Sequence, residues 1–472
     1  MTQILRNARE NPPLPARARW AVLAVVLAAD VLDLLDATIT NIAAPTISRD
    51  LGGGASLVQW LGASYALALG VLLVPGGRLG DKYGRRRLFL TGLAGFVAAS
   101  LACGLAPSPA FLVVARLTQG AFGALVIPQG FGILGATWPR EEIGKAFSLF
   151  GPVMGLSAVG GPILAGFLVD ADLAGLGWRS MFLINLLLGG AALLAAARLL
   201  PRDTGDPSVS VDVVGSALLA GAMLGLLGGL IDGSAAGWSL RPLALLLLGL
   251  ALFAGFCHRQ RTAAEPLIRP SLLHNRGFTS GLILGVLAFA AVAGLLYVVS
   301  LYLQQGLGRS PAGTALGLIP LSAGIVVASI ACYRLIHTHG RRLVVAGLLI
   351  ILAGCGCLAV LANGAAQPGS WALVPPLLLT GLGMGTCFGT VYDVTIGDIA
   401  PEEAGSASGS LNAVQQLANA TGAAAVTTVY FKAVDGGETH ALLASLAVVA
   451  AAVALCLPLV RLLPRKAQEA QH

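Results

Sequence analysis

The sequence predicts an all-α membrane protein with 14 transmembrane helices, arranged as two six-helix bundles with two extra helices inserted between them. Hydrophobic residues make up 56% of the 472-residue chain and charged residues only 11%, a composition outside the range of soluble domains. The mean hydropathy is +0.83. Apolar segments long enough to cross roughly 30 Å of hydrocarbon recur along the whole chain. The core is therefore expected to consist of helices that pack together in lipid.

Each apolar segment is predicted to be one transmembrane helix, because about 20 apolar residues cross a bilayer. The segments cover residues 20–45, 57–77, 88–106, 110–136, 146–169, 180–200, 212–231, 241–258, 278–303, 311–333, 342–362, 371–395, 405–432 and 441–462. Pro45 is expected to end the first span, since proline removes a helical hydrogen bond. This span is long and bears acids, so it is interpreted as uncleaved and not as a signal peptide.

The basic residues predict the orientation of these spans. Most of the 29 lysines and arginines lie near the termini or in alternate connections, as Arg85, Arg86 and Arg341 do. Because basic loops stay in the cytoplasm, we expect a multi-pass protein of the cytoplasmic membrane with both termini inside. This topology explains the net charge of +7, so no nucleic-acid partner is expected.

A weak internal repeat divides the chain. Residues 84–88 are similar to residues 340–343, and residues 47–56 have a counterpart at 303–311. Transporters are often built from such repeated halves. The predicted units are a cytoplasmic arm at 1–19, a six-helix bundle at 20–200, two inserted helices with a cytoplasmic linker at 201–276, a second six-helix bundle at 277–463 and a cytoplasmic tail at 464–472.

Three acids share one face of the first predicted helix. Asp30, Asp33 and Asp36 are three residues apart, which places them on one stripe. A carboxylate that faced lipid near the bilayer centre would cost roughly 3 kcal/mol, so the stripe is expected to face other helices or a water-filled cavity. We interpret it as a functional surface and assign Asp30, Asp33 and Asp36 to proton coupling. The alternative is that Asp30 and Asp33 are solvated near a helix end and only Asp36 is functional.

The connection at residues 77–87 has a glycine frame that a merely basic loop would not need. Its glycines permit a tight turn between two spans. Asp81 is placed to accept hydrogen bonds from a neighbouring helix amino end, and the arginines are placed to pair with acids or lipid headgroups. The residues assigned to conformational gating here are Gly77, Gly80, Asp81, Gly84, Arg85 and Arg86.

These patterns resemble the major facilitator superfamily, and specifically its fourteen-span drug:proton antiporter family. Residues 77–87 are similar to the gate motif of that family, with Gly80 in place of the usual alanine. Residues 35–45 resemble its first-span motif, residues 116–124 its fourth-span motif and residues 151–166 its fifth-span antiporter motif. The later half is supported by less specific similarities at 301–305 and 405–416.

The resemblance implies that Asp36 and Arg116 take part in proton coupling. A buried arginine stays charged and needs an acidic partner, so protonation of that acid would free the arginine and change the preferred conformation. A permanent structural ion pair is the alternative. The resemblance also links the fifth span, with Gly155, Gly161 and Pro162, to antiport. Generic small-residue packing is compatible with the same residues.

A substrate cavity is expected to be lined by Tyr65, Gln119, Tyr297, Asp393, Asn412 and Gln415. Asp393 could bind a cationic substrate or a second proton, or it could lie at the cytoplasmic end of its span. Asn412 and Gln415 would line the cavity or join helices through hydrogen bonds. The tyrosines could offer aromatic surface to a planar or cationic drug, although interfacial anchoring is the commoner role.

The leading function is export of amphipathic drugs or antibiotics across the cytoplasmic membrane in exchange for protons, which would confer antibiotic resistance. A symporter that imports a metabolite is the alternative, and the fifth-span motif argues against it. A membrane-embedded enzyme or receptor is a third reading. It is disfavoured because the six histidines lie in loops, at span ends or at the terminus.

The expected partners are the lipid bilayer and a small-molecule substrate. No Gly-x-x-x-x-Gly-Lys-Ser/Thr loop occurs in the sequence, so ATP coupling within this chain is not expected. The seven cysteines follow no metal-ligand pattern, and no metal or cofactor is expected, with protons as the coupling ion. We expect a monomer.

Overall fold

The structure is a computed structural model. It describes residues 15–139, 142, 146, 149, 153, 157, 160–161, 163–164, 166–169, 171–172, 175–264, 266–268, 270–332, 335–364, 369, 371–396, 399 and 404–463. In the described part of the chain all regular structure is helical, which confirms that part of the fold prediction.

The helices are α1 (Ala16–Leu51), α2 (Gly54–Tyr83), α3 (Arg85–Gly104), α4 (Pro109–Thr137), α5 (Arg179–Leu199), α6 (Val213–Ala236), α7 (Leu240–Thr262), α8 (Pro270–His274), α9 (Arg276–Leu301), α10 (Pro311–Gly317), α11 (Ile319–Cys332), α12 (Ile336–Gly364), α13 (Val374–Ile396), α14 (Ala404–Ala433) and α15 (Glu438–Leu459). A π-helical turn, Tyr302–Gly306, follows α9. Short 3₁₀ turns, Val434–Gly436 and Val460–Leu462, follow α14 and α15. The fifth predicted span lies between α4 and α5, so α5 corresponds to the sixth span.

Eleven stretches among the described residues are long and apolar enough to cross a membrane. Local capping sets several of their starts. The Ser108 hydroxyl accepts a hydrogen bond from the Phe111 N–H before α4, Asp212 accepts one from the Gly215 N–H before α6, and Asn275 accepts one from Phe278 before α9. Such caps satisfy amide groups that the first helical turn leaves without partners.

The expectation that Pro45 ends the first span is wrong. Pro45 lies inside α1, which continues to Leu51. The helix ends where Gly52 adopts φ 67° and its N–H bonds the Ser48 carbonyl, a left-handed cap that glycine accepts without strain. A helix in a membrane tolerates proline when neighbouring groups satisfy the carbonyl it leaves free.

Small residues let the helices approach closely. A Cβ atom added at Gly76 of α2 would lie 2.2 Å from the Ala124 carbonyl oxygen of α4. In the inserted pair, a Cβ at Gly225 of α6 would lie 2.9 Å from Cα of Gly249 on α7. Without a hydrophobic driving force between helices in lipid, such backbone contact is a main source of helix association.

The earlier and later helices meet at the end where α1 joins α2. Gln304 donates to the Ile42 carbonyl over 2.8 Å, and the Tyr297 hydroxyl donates to the Val58 carbonyl over 3.0 Å. Along the same side, α2 packs against α14, and α6 packs against both of them. The loop between α2 and α3 lies at the opposite end of α2.

Candidate functional site

A buried ion pair joins α1 to α4. Asp36 and Arg116 are each 1% exposed, and the Arg116 Nη1 donates a hydrogen bond to Asp36 Oδ2. A single buried charge without a partner would cost several kcal/mol, so each residue makes the other tolerable in this interior. The structure thus brings together the two residues to which the resemblance assigns proton coupling. That role stays a prediction.

Three more side chains complete a polar group that we call the Asp36 cluster: Asp36, Ser100, Arg116, Gln119 and Asn185. Gln119 Nε2 donates to Asp36 Oδ1 over 2.9 Å, and Asn185 Nδ2 donates to the same oxygen over 2.7 Å. The Ser100 hydroxyl accepts from both amides, over 2.7 Å and 3.3 Å. Since a buried carboxylate must find donors within the protein, α3, α4 and α5 together hold Asp36 in place.

Aromatic rings cover the guanidinium of Arg116. Its central carbon lies 4.5 Å from the centroid of the Tyr65 ring and 5.7 Å from that of Phe182. Such cation–π contacts are each worth about 0.5–2 kcal/mol, more where water is absent. They compensate in part for the hydration that Arg116 loses.

The other two acids of α1 are also inside the helix packing. The Tyr65 hydroxyl donates a hydrogen bond to Asp33 Oδ1. Asp30 is only 9% exposed, and its Oδ2 has no hydrogen-bond partner among the described residues. The stripe therefore faces other helices and does not lie at a solvated helix end. Whether Asp30 and Asp33 carry protons stays a prediction.

The expected connection at residues 77–87 is almost entirely helical. Residues 77–83 belong to α2 and residues 85–87 to α3, and Gly84 alone makes the turn, with φ 96°, which favours glycine. Across this α2–α3 junction, Arg85 donates from Nε and Nη2 to Asp81 Oδ1, over 3.1 Å and 2.8 Å. Its Nη1 reaches the Gly132 carbonyl of α4 over 2.6 Å. The junction therefore links α2, α3 and α4.

The glycine at position 80 has a specific neighbour. A Cβ atom at Gly80 would lie 1.7 Å from Gln129 Oε1, and Gln129 donates from Nε2 to the Gly76 carbonyl over 2.8 Å. An alanine here would displace that amide. Glycine at position 80, where the family motif usually has alanine, therefore leaves room for the side chain of Gln129 on α4. Gly77 also packs against α4, beside Pro128.

Among the described residues, no helix amino end donates a hydrogen bond to the Asp81 side chain, which differs from the expectation. Asp203, in the connection between α5 and α6, occupies the amino end of α3 instead. Its carboxylate accepts from the backbone N–H groups of Arg85 and Arg86, over 2.5 Å and 3.0 Å. The same connection donates to Asp81 from the Asp206 N–H, which bonds the Asp81 carbonyl over 2.8 Å.

Arg78 of α2 is bonded to both segments that flank the inserted helices, the one before α6 and the one after α7. It donates to the Ser210 carbonyl over 3.4 Å and to the Pro266 carbonyl over 3.0 Å. Arg86 donates to the Ala197 carbonyl over 2.6 Å. The segments before α6 and after α7 are therefore hydrogen-bonded to the part of α2 that precedes the α2–α3 junction.

Sequence reasoning assigned no role to Ser100, Asn185 or Asp203. Asn185 is an amide within the apolar sequence of α5, and a polar residue inside a span is itself a signal. Ser100 and Asp203 carry no comparable signal, because serine is common in membrane helices and aspartate is common in loops.

The predicted cavity residues lie in different surroundings. Tyr65, Gln119 and Tyr297 are each at most 3% exposed and are hydrogen-bonded to neighbouring helices. Gln415 accepts from the Tyr392 hydroxyl over 2.5 Å, and Asn412 is half-buried on the same helix. Their role in binding substrate stays a prediction.

Three predicted residues lie wholly or partly outside the described residues. They are Gly155, Pro162 and the side chain of Asp393. Gly161 is described, and a Cβ there would lie 2.3 Å from the Thr38 hydroxyl of α1. The described residues hold no group of three or more His, Cys, Asp or Glu side chains suited to a metal ion.

Comparison with known proteins identifies the family. The profile of the Major Facilitator Superfamily matches residues 26–423. A probable actinorhodin transporter of Streptomyces coelicolor is 44% identical over 426 residues, which cover 89% of this chain and 74% of that protein. A puromycin resistance protein of Streptomyces alboniger is 36% identical, with 88% of this chain and 82% of that protein covered.

Solved structures agree with this fold at low sequence identity. The human organic anion transporter MFSD10 superposes with a TM-score of 0.63 at 18% identity, covering 95% of this chain and 100% of that one. The peptide transporter POT in complex with sulfate reaches a TM-score of 0.68 at 15% identity, covering 94% and 95%. The family inferred from the motifs is confirmed, and this chain belongs to the Major Facilitator Superfamily.

Proposed function

We propose that this chain exports amphipathic drugs or antibiotics across the cytoplasmic membrane in exchange for protons, and so confers resistance to them. Similar proteins are named for actinorhodin transport and for resistance to puromycin, and another is named a tetracenomycin C resistance and export protein. These names support export of organic molecules by a transporter that is not an enzyme. The proposed substrate is a small organic molecule, and the chain works as a monomer without ATP.

The observation that carries the proton exchange is the burial of Asp36 against Arg116. Both charges are held away from water by the rest of the Asp36 cluster. A proton on Asp36 leaves the Arg116 guanidinium without its anionic partner. Because an unpaired buried cation is costly, the helix packing that is preferred with an ionised Asp36 differs from that preferred with a neutral one. Substrate and proton then bind to alternate conformations.

The proposed topology keeps 14 spans, six in each bundle and two inserted, with both termini in the cytoplasm. The α2–α3 junction then lies on the cytoplasmic side, and the contacts of Gln304 and Tyr297 lie on the external side. Asp393, Asn412 and Gln415 belong to the proposed substrate cavity, and Gly155, Gly161 and Pro162 belong to a fifth span that bends during exchange.

The experiment is uptake of ethidium, puromycin and related amphipathic cations by inside-out vesicles with an acidic lumen. Wild-type vesicles are expected to accumulate at least one of these cations while the lumen loses protons, and Asp36→Asn is expected to abolish both changes. Asp50→Asn is the matched control, because Asp50 is an acid of the same helix that bonds Trp178 and Arg179 outside the Asp36 cluster.

Two outcomes would overturn the proposal. Full exchange by Asp36→Asn would exclude Asp36 as the coupling carboxyl. Movement of substrate and protons in the same direction would identify a symporter.

A further inference from the structure

We propose that Asp33 is a second proton-binding carboxyl of this transporter, and that Tyr65 and Gly123 position it against the Asp36–Arg116 pair. The inference rests on the proposed function and deepens it, since it names a second site for the coupling ion. It is carried by the contacts of Tyr65, the space at Gly123 and the charge balance of the buried group.

The charges around Asp33 do not balance. The groups that face it are Asp30 and Asp36 on its own helix, Tyr65 on α2 and Arg116 on α4. In the part of the chain that the structure describes, one guanidinium therefore lies among three carboxyls, and Asp36 already binds that guanidinium directly. An excess of negative charge in a water-poor interior is costly. A proton on Asp33 lowers this excess while it leaves the Asp36–Arg116 pair intact.

Tyr65 connects the two parts of the site. Its hydroxyl donates to Asp33 Oδ1, while its ring lies 4.5 Å from the guanidinium carbon of Arg116. Tyr65 is only 3% exposed, so it has little freedom to turn to water. A movement of Arg116 is therefore expected to move the Tyr65 ring, and with it the hydroxyl that is bonded to Asp33.

Gly123 supplies the space for this contact. A Cβ atom at Gly123 would lie 2.9 Å from the Tyr65 hydroxyl oxygen and 3.2 Å from Asp33 Oδ1. Gly120, one turn earlier, lets the Tyr65 backbone approach α4, because a Cβ there would lie 2.4 Å from the Tyr65 carbonyl oxygen. The fourth-span motif therefore has two functions in one helix. Arg116 and Gln119 donate hydrogen bonds to Asp36. Gly120 and Gly123 leave the space in which Tyr65 contacts Asp33.

The proton balance is simple. With Asp33 ionised, the phenol O–H of Tyr65 donates to the carboxylate. A proton taken from water forms an O–H bond on Asp33, and this O–H then donates to the Tyr65 oxygen. Tyr65 keeps its own proton throughout, so it acts as a positioning residue, and the proton leaves Asp33 to water in the opposite conformation.

The test is infrared difference spectroscopy of the purified transporter in lipid, between acidic and alkaline buffer. Protonated carboxyl groups have their own carbonyl stretching band. We expect Asp33→Asn to lose one component of that band. Tyr65→Phe, which keeps the ring on Arg116, and Gly123→Ala are expected to shift the same component, because hydrogen bonding changes the carbonyl frequency.

Gly135→Ala is the matched control for Gly123→Ala. Gly135 lies on the same helix, and a Cβ there meets nothing within 4 Å, so its spectrum should equal that of the wild type. An unchanged band in Asp33→Asn would overturn the inference. Should Asp33→Asn fail to fold, an unchanged band in both Tyr65→Phe and Gly123→Ala would overturn it equally.

A second readout separates this inference from the proposed function. In ethidium-loaded exchange assays, Asp33→Asn should still move ethidium but carry fewer protons for each ethidium, roughly half if each carboxyl carries one. Loss of exchange in Asp36→Asn together with an unchanged proton ratio in Asp33→Asn would refute only the second site. If the wild-type protein exchanges none of the tested cations but shows the carbonyl band of Asp33, the second proton site is supported and the export proposal is refuted.

Discussion

Asn185 donates a hydrogen bond to Asp36 over 2.7 Å, although the two residues are 149 positions apart in the chain. The contact ties α5 to α1 at the buried ion pair. Because Asn185 also reaches the Ser100 hydroxyl, it links three helices at one carboxylate.

Replacement of Asn185 by alanine is expected to destabilise the protein and slow exchange. A hydrogen bond to a charged group contributes about 1.5–3 kcal/mol, and the alanine also leaves a small cavity beside Asp36. Thermal unfolding in detergent and ethidium exchange in vesicles measure the two effects. Leu188→Ala, on the exposed side of α5, is the control. Equal stability of both variants would contradict a role for Asn185 in holding Asp36.

The Asp36–Arg116 pair is expected to be strongly coupled in a double-mutant cycle. Asp36→Asn and Arg116→Gln should each cost about 3–5 kcal/mol of stability, because each leaves a buried charge without its partner. The double variant removes both charges and should be more stable than the sum of the single costs predicts. Purely additive costs in chemical unfolding would mean that the two charges do not interact. Exchange should be absent in all three variants.

Asp203 is expected to stabilise the amino end of α3. Asp203→Ala should raise hydrogen exchange at the amides of Arg85 and Arg86, because loss of a capping carboxylate costs about 0.5–2 kcal/mol. Turnover of the transporter should change more than its affinity for ethidium, since the hydrogen bonds of Asp203 are made at the amino end of α3 and not with the Asp36 cluster. Asp206→Asn is the control, because the backbone bond from residue 206 to Asp81 survives the change. Unchanged protection at both amides would refute the capping role.

Asp50 is expected to make a small, pH-dependent contribution to stability. Hydrogen bonds from Trp178 first, and then from Arg179, lower the pKa of Asp50 below its usual value. A lowered pKa in the folded state means that the contribution is complete above the unfolded value of about 3.9 and is lost as the pH falls through the folded value. The ion pair is largely exposed, so the contribution should not exceed about 1 kcal/mol.

Comparison of Asp50→Asn with wild type in thermal unfolding measures this contribution. The difference in unfolding temperature should be constant near neutral pH and should vanish in strong acid. A difference that grows as the pH falls would show that the sign of the linkage is wrong.

Some spans could be placed closely because an apolar run and its caps are short-range information. The fourth predicted span, residues 110–136, differs by one residue at each end from α4, Pro109–Thr137. Bilayer thickness sets the length of an apolar run, and caps and glycines set its ends. The prediction that the first span ends at Pro45 was wrong because proline is a weaker signal of a helix end in a membrane than in water. In a membrane, neighbouring groups satisfy the free carbonyl.

The helical class, the family and the two charges at the centre of the site could thus be predicted from the residues alone, since Asp36 and Arg116 stand out in apolar helices. The contacts of Asn185 and Ser100 with this pair, the bridge of Tyr65 between Asp33 and Arg116, and the cap of Asp203 on α3 are visible only in the folded chain. This is because a hydrogen bond depends on how helices rotate and approach one another. Those rotations follow from packing along the whole bundle, which no single segment of the chain encodes.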